Sequence, residues 1–438
     1  MNPLPIQAND RLLVPGFQDP DLLELRRDAP TAGRHSQNLL LLVASSTQYR
    51  KWRIASSDIS GAFLKGDEQQ RLLYAYPPQA WSGPALKGVP PGSMIRLVKG
   101  VFGLNDAPRL WWTRLRKFLL SQGCRQSRLD PSVFILEKNG TFEGMLTTHV
   151  DDILSVGGDL MTDLLKRVDK EFGFGSQEFD SFRHTGKDIR KDMTTGCVHV
   201  SMPAYVDNIT APTIPRDRRA EGDDKLSAQE LTSLRGINGN LQWLQNQLRP
   251  DLSFATSASQ GATADARVHH LVEAQGLVAH AKRHRDFELV YQPLDLNNGG
   301  FLAVSDAGLG GIGDAGDAGR VVDGKIRSQG GYLVLFGDES LAHHGTRGRF
   351  NLLDWRSHKF IRVRRSSFAA ETLALAEAND AVQHLRGALL IIITPNANLK
   401  EWETEVGRWP ATLVVDARGC YDHLPKDTLL ARFLRKRH

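Results

Sequence analysis

The sequence predicts an α+β region over roughly the first two thirds of the chain, followed by an α/β domain with a mixed sheet. Two observations support this prediction. Residues 147–158 read TTHVDDILSVGG, a pattern typical of a β-hairpin that carries its charges at the turn. After a break at LDLNNGG (residues 294–300), the pattern changes to three strands, a long amphipathic helix and a further strand. A mixed sheet with carboxylates at one edge is therefore expected in the C-terminal part.

Length and composition set broad limits. The 438 residues suggest more than one domain, and 41% hydrophobic with 24% charged residues is ordinary for a globular protein. The net charge of +5 and the pI near 9.0 permit nucleic-acid binding without requiring it. The three cysteines are widely spaced and form neither a zinc pattern nor a disulfide framework, so a reducing compartment is expected. No signal peptide or membrane-spanning apolar run is evident.

Before the hairpin, the pattern predicts two helices and a strand. The first helix is expected in APTAGRHSQNLLLLVASS, with Thr31 as its cap. A short strand should end near Asp58, and the Pro- and Gly-rich residues 71–100 indicate extended loops. The second helix is expected after Pro108. The hairpin with its two aspartates follows.

Beyond the hairpin, helices are expected in LMTDLLKRVDKEF, LSAQELTSLRGINGNLQWLQNQL, RPDLSFATSASQGA and HHLVEAQGLVAHAKRHR, with a strand near GCVHVSM. Residues 214–225 are charged and suggest a linker or loop. In the last part, FLAVSD is a strand ending in Asp306 and ATLVVD a strand ending in Asp416. Between them lie a Gly/Asp-rich loop, two further strands and a strong helix that carries Glu371.

The carboxylates suggest metal chemistry. Asp151 and Asp152 are adjacent, and their repulsion falls when a divalent cation lies between them. Sites that transfer phosphoryl groups with two metal ions need several carboxylates on rigid elements, and Asp58 ends a strand of the same half. A solvated turn is the alternative for the hairpin, because aspartate also favours turns. Spacing alone does not separate a metal cluster from scattered surface acids.

Eight segments, taken in order, resemble the reverse transcriptase–ribonuclease H part of copia-type LTR retrotransposon polyproteins. They are GFQDP, SSDISGAFLKGD, VFGLNDAPRLWW, HVDDILSVGG, RPDLSFATS, VSDAGLGG, SSFAAETLALAEA and VVDARGCYD. The resemblance implies an α+β polymerase of the right-hand type followed by an α/β ribonuclease H-like domain. It places fingers and palm in 1–200, the thumb in 201–258, a connection in 259–298 and the ribonuclease H-like domain in 299–438.

The same resemblance implies roles for individual residues of the polymerase. Asp58 and Asp151 would be its metal ligands, with Asp152 beside them as a third catalytic carboxylate. Phe63 would stack under the nucleotide sugar and exclude a 2′-hydroxyl, although a core aromatic is the alternative. The remaining substrate-binding residues would be Phe102 and Gly103 at the pocket floor, Arg109 beneath the template and Arg11 near the triphosphate. Arg109 could equally be a solvated residue at a helix start.

In the second domain, the resemblance implies that Asp306, Glu371 and Asp416 are catalytic and hold metal ions. The cofactor would be Mg²⁺, two ions per active site, with Mn²⁺ as a substitute. The implied partners are an RNA template, a DNA primer, deoxynucleoside triphosphates and an RNA–DNA hybrid recognised by its backbone and 2′-hydroxyls. The capsid, protease and integrase parts of such polyproteins are expected to be absent from this chain, and no membrane contact is expected. The implied location is a cytoplasmic virus-like particle, and also the nucleus.

The chain departs from the family pattern in several places. His149 replaces the hairpin Tyr, and an imidazole can change charge near neutral pH. Pro15 stands where the family has a basic residue, and Asn105 with Asp106 replaces Lys-Gln, which removes positive charge near the template. Little sequence follows Asp416, and Asp427 is not a convincing fourth carboxylate. The C-terminus is therefore expected to be truncated and the ribonuclease slow or inactive.

Two alternatives to an active enzyme remain open from the sequence. One is a catalytically decayed element that survives as a nucleic-acid-binding remnant, and the other is a host protein domesticated from such an element. His280 and His284, spaced by four residues, could bind a metal, but they have no cysteine partners nearby and are expected to be surface or packing residues.

Overall fold

The computed structural model describes residues 13–76, 90, 92–308, 328–360 and 366–423, together with the backbone of 430–433. The chain divides into two compact units. The first comprises Met1–Ala32, Ser56–Ser155 and Asp159–Gln177, and the second comprises Gly33–Ala55, Val156–Gly158 and Glu178–His438. Within the described ranges, no helix is both long and apolar enough to cross a membrane.

Twelve α-helices lie in the described residues. They are α1 (Arg34–Ser45), α2 (Ala107–Ser121), α3 (Asp159–Phe172), α4 (Pro203–Asn208), α5 (Arg216–Ala220), α6 (Ala228–Gln247), α7 (Ser253–Gly261), α8 (Val268–Arg283), α9 (Glu339–Ala342), α10 (Ser367–Ile393), α11 (Trp402–Val406) and α12 (Arg418–His423). A 3₁₀ turn spans Ala62–Lys65. The long helix α6 begins with a capping box, in which the Ser227 hydroxyl and the Glu230 carboxylate each accept from the other residue's backbone N–H.

Seventeen strands lie in the same described residues. They are β1 (Arg53–Ile59), β2 (Tyr74–Ala75), β3 (Ile95–Arg96), β4 (Cys124–Gln126), β5 (Val133–Lys138), β6 (Thr141–His149), β7 (Asp152–Gly157), β8 (Phe174–Phe179), β9 (Ser181–His184), β10 (Lys187–Lys191), β11 (Val198–Ser201), β12 (Glu288–Tyr291), β13 (Gly300–Gly308), β14 (Gln329–Gly337), β15 (Phe350–Lys359), β16 (Ala411–Val415) and β17 (Leu430–Phe433).

A six-stranded sheet carries the predicted hairpin. Its strand order is β4-β5-β6-β7-β1-β8, so the two hairpin strands are neighbours and β1 lies next to β7. Strands β6 and β7 are buried along most of their length, because apolar and small residues fill both. The hairpin prediction is confirmed, and its turn comes to lie beside the end of β1. Helix α2, whose apolar residues Trp111, Leu115 and Leu119 are buried, also belongs to the first unit.

The last part of the chain forms a mixed five-stranded sheet in the second unit, with the order β15-β14-β13-β16-β17. Strands β13, β14 and β15 pair antiparallel, whereas β16 runs parallel to β13 and to β17. Helices α10 and α11 lie between β15 and β16 in sequence, and α10 buries a long apolar stripe. The predicted succession of three strands, a helix and a strand in a mixed sheet is therefore confirmed.

Helix α1 lies in the second unit, where a buried polar junction joins it to β15. Asp354 on β15 is almost completely buried and pairs with Arg34 and with His35, whose Nε2 lies 3.0 Å from Asp354 Oδ2. The Tyr332 hydroxyl donates to the same carboxylate at 3.1 Å. Asn38 Nδ2 donates to Leu353 O at 2.8 Å. Because these polar groups satisfy one another inside the unit, α1 and the C-terminal sheet form one packed body.

Several sequence expectations differ from the structure in detail. Helix α1 begins at Arg34 after Gly33, and Thr31 does not cap it. The charged segment 214–225 contains the short helix α5. Strand β13 continues two residues beyond Asp306, whereas Asp416 directly follows β16 as expected. Of the predicted Gly/Asp-rich loop at 307–320, the first two residues belong to β13 and the rest lies outside the described residues. The bounds of the four predicted domains stay predictions.

Candidate active sites

The turn of the acidic hairpin has a strained backbone. Val150 adopts a φ of 58°, a left-handed conformation that is unusual for a β-branched residue and costs on the order of 1–3 kcal/mol. Two hydrogen bonds hold the turn in this shape. Buried Trp111 on α2 donates from Nε1 to Val150 O at 2.7 Å, and the backbone N–H of Ile59 donates to Asp151 O at 3.0 Å. The turn is thereby fixed between α2 and the end of β1.

This arrangement brings the three aspartates of the first unit into electrostatic contact. Burial, together with the neighbouring carboxylates of Asp151 and Asp58, raises the pKa of Asp152 to about 6. The three carboxylates, all of them described, do not form a group whose oxygens lie within 4.8 Å of one another. The three aspartates therefore form a loose cluster in which the negative charges repel one another. A bound cation would reduce this repulsion.

A glycine on β8 makes room for Asp58. A Cβ added at Gly175 would lie 2.9 Å from Asp58 Oδ2, so only the absence of a side chain lets the carboxylate occupy its present position. Nearby, Gln177 Nε2 donates to the Ser57 hydroxyl at 3.1 Å and ties β8 to β1. Neither Gly175 nor the Trp111 indole was identified from the sequence as part of the site. A glycine in a short strand is only a weak indication of close approach, and an indole hydrogen bond leaves no sequence pattern.

The predicted pocket residues Phe63, Phe102 and Gly103 lie together. The Phe63 and Phe102 rings are 5.1 Å apart at an angle of 58°, and Phe63 is only partly buried against the adjacent core cluster. Gly103 has a φ of 94°, and a Cβ there would lie 2.0 Å from Val14 O. Gly103 therefore cannot be replaced without moving the segment that carries Val14. Their roles toward a nucleotide stay predictions.

Three other residues were singled out from the sequence. Arg109 pairs with Asp28, its NH1 nitrogen donating to Asp28 Oδ2 at 2.7 Å, and its guanidinium lies 5.0 Å from the Trp112 ring. Arg11 lies outside the described residues. His149 is the last residue of β6 and is half-buried.

The second cluster is tighter. One carboxylate oxygen from each of Asp306, Glu371 and Asp416 lies within 4.8 Å of the others, and within the described ranges this is the only such group of three or more metal-ligating side chains. Glu371 is 7% exposed, and the aspartates are exposed. The residues come from β13, from α10 and from the end of β16, so two parallel strands and one helix place them.

Burial, together with the charges of Asp306 and Asp416, raises the pKa of Glu371 to about 7, although a backbone hydrogen bond from Ala307 opposes the change. Glu371 Oε2 is buried and has no hydrogen-bond partner among the described residues. An orphaned carboxylate oxygen beside two further carboxylates fits a hard cation such as Mg²⁺, whose preferred ligands are oxygens.

Histidines do not add a further metal group to the described chain. The His280 and His284 rings lie 4.7 Å apart, and His280 Nε2 is 3.6 Å from Asp251 Oδ2. Arg249 already binds that carboxylate at 2.7 Å. This agrees with the expectation of surface or packing histidines.

Comparison with known proteins now gives these sites a context. Residues 6–212 match the family model described as Reverse transcriptase (RNA-dependent DNA polymerase). The matched region contains the hairpin, Asp58 and the Phe63–Phe102 pair. It does not reach the second cluster, whose description rests on geometry alone.

Three curated relatives are Pol polyproteins of transposons. The Retrovirus-related Pol polyprotein from transposon RE1 of Arabidopsis thaliana is 29% identical over 390 residues, which are 85% of this chain and 24% of the relative. That from transposon RE2 of the same plant is 28% identical with the same coverage. That from transposon TNT 1-94 of Nicotiana tabacum is 26% identical over 47% of this chain and 15% of the relative.

The similarity to copia-type retrotransposon Pol polyproteins, which the ordered motifs predict, is thereby confirmed. The chain spans about a quarter of the length of the two Arabidopsis relatives.

Proposed function

We propose that this chain, similar to copia-type Pol polyproteins, is an RNA-directed DNA polymerase with an attached ribonuclease that cleaves RNA in an RNA–DNA hybrid. The first part of the chain would have the right-hand polymerase fold with fingers, palm and thumb, and the last part would be a ribonuclease H-like domain. The proposed substrates are an RNA template, a DNA primer, deoxynucleoside triphosphates and the hybrid product. The polymerase function rests chiefly on one observation: a strained turn, held by Trp111, sets Asp151 and Asp152 beside Asp58 in the region that matches the reverse transcriptase family.

In the first site, Asp58 and Asp151 would hold Mg²⁺, with Asp152 beside them. When bound there, the metal would lower the pKa of the primer 3′-hydroxyl and neutralise phosphate charge. The chain itself contributes position. The Trp111 and Ile59 hydrogen bonds fix the hairpin turn before substrate arrives, so little reorganisation is needed during reaction. The partly buried Phe63 ring, supported by Phe102, would lie under the sugar and exclude a 2′-hydroxyl.

In the second site, Asp306, Glu371 and Asp416 would hold the metal ions for hydrolysis. Glu371 would have to lose its proton to bind, because its buried carboxyl group holds the proton up to about neutral pH. The rigid placement by two strands and a helix keeps the three carboxylates at one spacing. The ribonuclease proposal rests on this spacing together with the unpaired Glu371 Oε2.

Two reciprocal substitutions test the proposal in the full chain. We expect Asp151→Asn to reduce Mg²⁺-dependent primer extension on an RNA template by about a thousandfold or more and to leave hybrid cleavage unchanged. Asp306→Asn should do the opposite. Asp163→Asn and Asp380→Asn, which change exposed helical aspartates, serve as matched controls for the two sites.

Full extension activity in the Asp151→Asn variant would contradict the polymerase assignment. An unsubstituted chain that binds the hybrid but neither extends nor cleaves, with saturating Mg²⁺ and nucleotide, would instead support the decayed nucleic-acid-binding alternative.

A further inference from the structure

A buried charge cluster in the first unit has no role in the function proposed so far. Arg71, with 17% of its side chain exposed, contacts three carboxylates. Its NH1 donates to Asp19 Oδ1 at 2.5 Å and to Asp21 Oδ2 at 2.9 Å, and its NH2 donates to Asp19 Oδ2 at 2.6 Å and to Asp106 Oδ2 at 3.2 Å. The fork of Arg71 thus joins the opening segment of the chain to the start of α2.

We propose that Arg71 is a positioning residue that locks the opening segment, residues 13–21, onto the Phe102–Gly103 loop and so holds one wall of the nucleotide pocket in place. The proposal rests on the polymerase function for its consequence, but the lock itself is a property of the fold. We call the group of Arg71, Asp19, Asp21 and Asp106 the Arg71 clamp.

The opening segment lies directly against the loop that carries the pocket residues. The Val14 N–H donates to Phe102 O at 2.9 Å, and Asn105 Nδ2 donates to Gly16 O at 2.8 Å. The two backbones are so close that a Cβ at Gly16 would lie 2.1 Å from Gly103 O. Neither side can shift alone, because there is no free space between them.

The opening segment makes few direct hydrogen bonds to this loop, and the Arg71 clamp adds charge-assisted hydrogen bonds to them. Asp19 directly follows the short 3₁₀ turn Gly16–Gln18, and Asp106 precedes the first residue of α2. A charge-assisted, two-pronged arginine contact to Asp19 and a second contact to Asp106 therefore connect the two ends of the interface. Burial of the Asp19 carboxylate at 1% exposure means that its charge depends on Arg71.

Electrostatics agree with this geometry. The Arg71 guanidinium lowers the pKa of Asp19 through its hydrogen bonds, against the opposing effect of burial. The three aspartates in turn raise the pKa of Arg71, again chiefly through Asp19. Asp19 and Arg71 therefore stabilise each other in their ionised forms, so removal of Arg71 would leave the Asp19 carboxylate buried without its main partner.

The structure around the clamp also gives Asn105 and Asp106 a structural role. Their expected effect was loss of positive charge near the template, but Asp106 binds Arg71 and Asn105 binds Gly16 O. Sequence reasoning missed this pairing because Asp19, Arg71 and Asp106 lie far apart along the chain and fit no motif.

The test uses the full chain with Arg71→Gln, Arg71→Lys and, as control, Arg183→Gln, which removes an exposed arginine with a single aspartate partner. Amide hydrogen exchange is measured without nucleic acid. We expect Arg71→Gln to speed exchange at least tenfold in peptides covering 13–21 and 101–106, and Arg71→Lys to give a smaller change, because an ammonium group lacks the planar fork. Arg183→Gln should change neither peptide.

Primer extension gives the second readout. We expect Arg71→Gln to raise the KM for deoxynucleoside triphosphate about tenfold while kcat changes less, and Arg71→Lys to recover part of the loss. Should Arg71→Gln fold poorly, the double variant Asp19→Asn with Arg71→Gln removes the uncompensated buried carboxylate and is measured instead. Unchanged exchange, or faster exchange with unchanged KM in an active parent, would overturn the proposal. An inactive parent would refute the polymerase function, and exchange would then decide the clamp alone.

Discussion

The two acid clusters are built in different ways. In the first unit, Asp151 and Asp152 sit at a hairpin turn whose strained Val150 is held by one indole hydrogen bond. In the second unit, Asp306, Glu371 and Asp416 lie on two parallel strands and a long helix, and their oxygens gather within 4.8 Å. A turn can be adjusted by its neighbours, whereas two paired interior strands and a helix packed on them hold a fixed spacing. The first cluster should therefore respond more to substitutions outside it, and the second to changes in the sheet's own support.

Apart from substitutions of the metal ligands, the largest expected effect is a loss of stability of the second unit. Asp354→Ala removes the buried partner of Arg34, His35 and Tyr332, so we expect the second unit to lose about 3–5 kcal/mol of stability. Calorimetry of the full chain measures this as a lower unfolding temperature. Asp188→Ala, which breaks an exposed ion pair, should cost less than about 1 kcal/mol. Equal losses in the two variants would show that the junction does not brace the sheet.

The next largest effect is expected at the hairpin turn, when its indole hydrogen bond is removed. Trp111→Phe keeps an aromatic ring but leaves Val150 O without its indole donor, at a cost of about 1–3 kcal/mol. We expect primer extension to fall about tenfold while hybrid cleavage is unchanged. Trp112→Phe on the same helix is the control. If both variants extend primers at the parent rate, the hairpin does not depend on Trp111.

A smaller effect is expected from Gly175→Ala. The new Cβ would contact Asp58 Oδ2, and a carboxylate can turn away at little cost in stability. We therefore expect less than about 1 kcal/mol of destabilisation but a roughly tenfold slower extension, since small misplacements weaken catalysis. Gly186→Ala is not a fair control because its φ is 82°, whereas Gly236→Ala has open space around its Cβ. A normal extension rate in the Gly175→Ala variant would argue against a role for the present Asp58 position.

The smallest effect is a dependence on pH in the second cluster. The folded chain keeps the Glu371 proton up to pH about 7, whereas an unfolded chain loses it near 4.5, so stability should fall as pH rises through this interval. Glu371→Gln removes that loss. In chelator, we expect the variant to be more stable than the parent by about 1 kcal/mol at pH 8, a value reduced for solvent screening, and equal to it near pH 4. Thermal melts at both pH values measure the difference, and an equal difference at both would contradict the assignment.

Some of the fold and of the sites follows from the sequence because the signals are local. The hairpin, helix α6 and the strand end before Asp416 all depend on neighbouring residues. Other features depend on contacts between distant segments. Arg71 meets Asp19 and Asp106, and Asp354 meets Arg34, with no periodicity or motif to connect them.

By itself, the sequence determined the family likeness, the succession of elements and which carboxylates to consider. Only the tertiary structure decided how those carboxylates are held. It showed a loose group at a strained turn and a tight group on two interior strands and a helix, and it placed α1 with the C-terminal sheet. The physical reason is that periodicity and turn residues act over a few positions, whereas burial, charge pairing and close backbone approach depend on parts of the chain that meet only on folding.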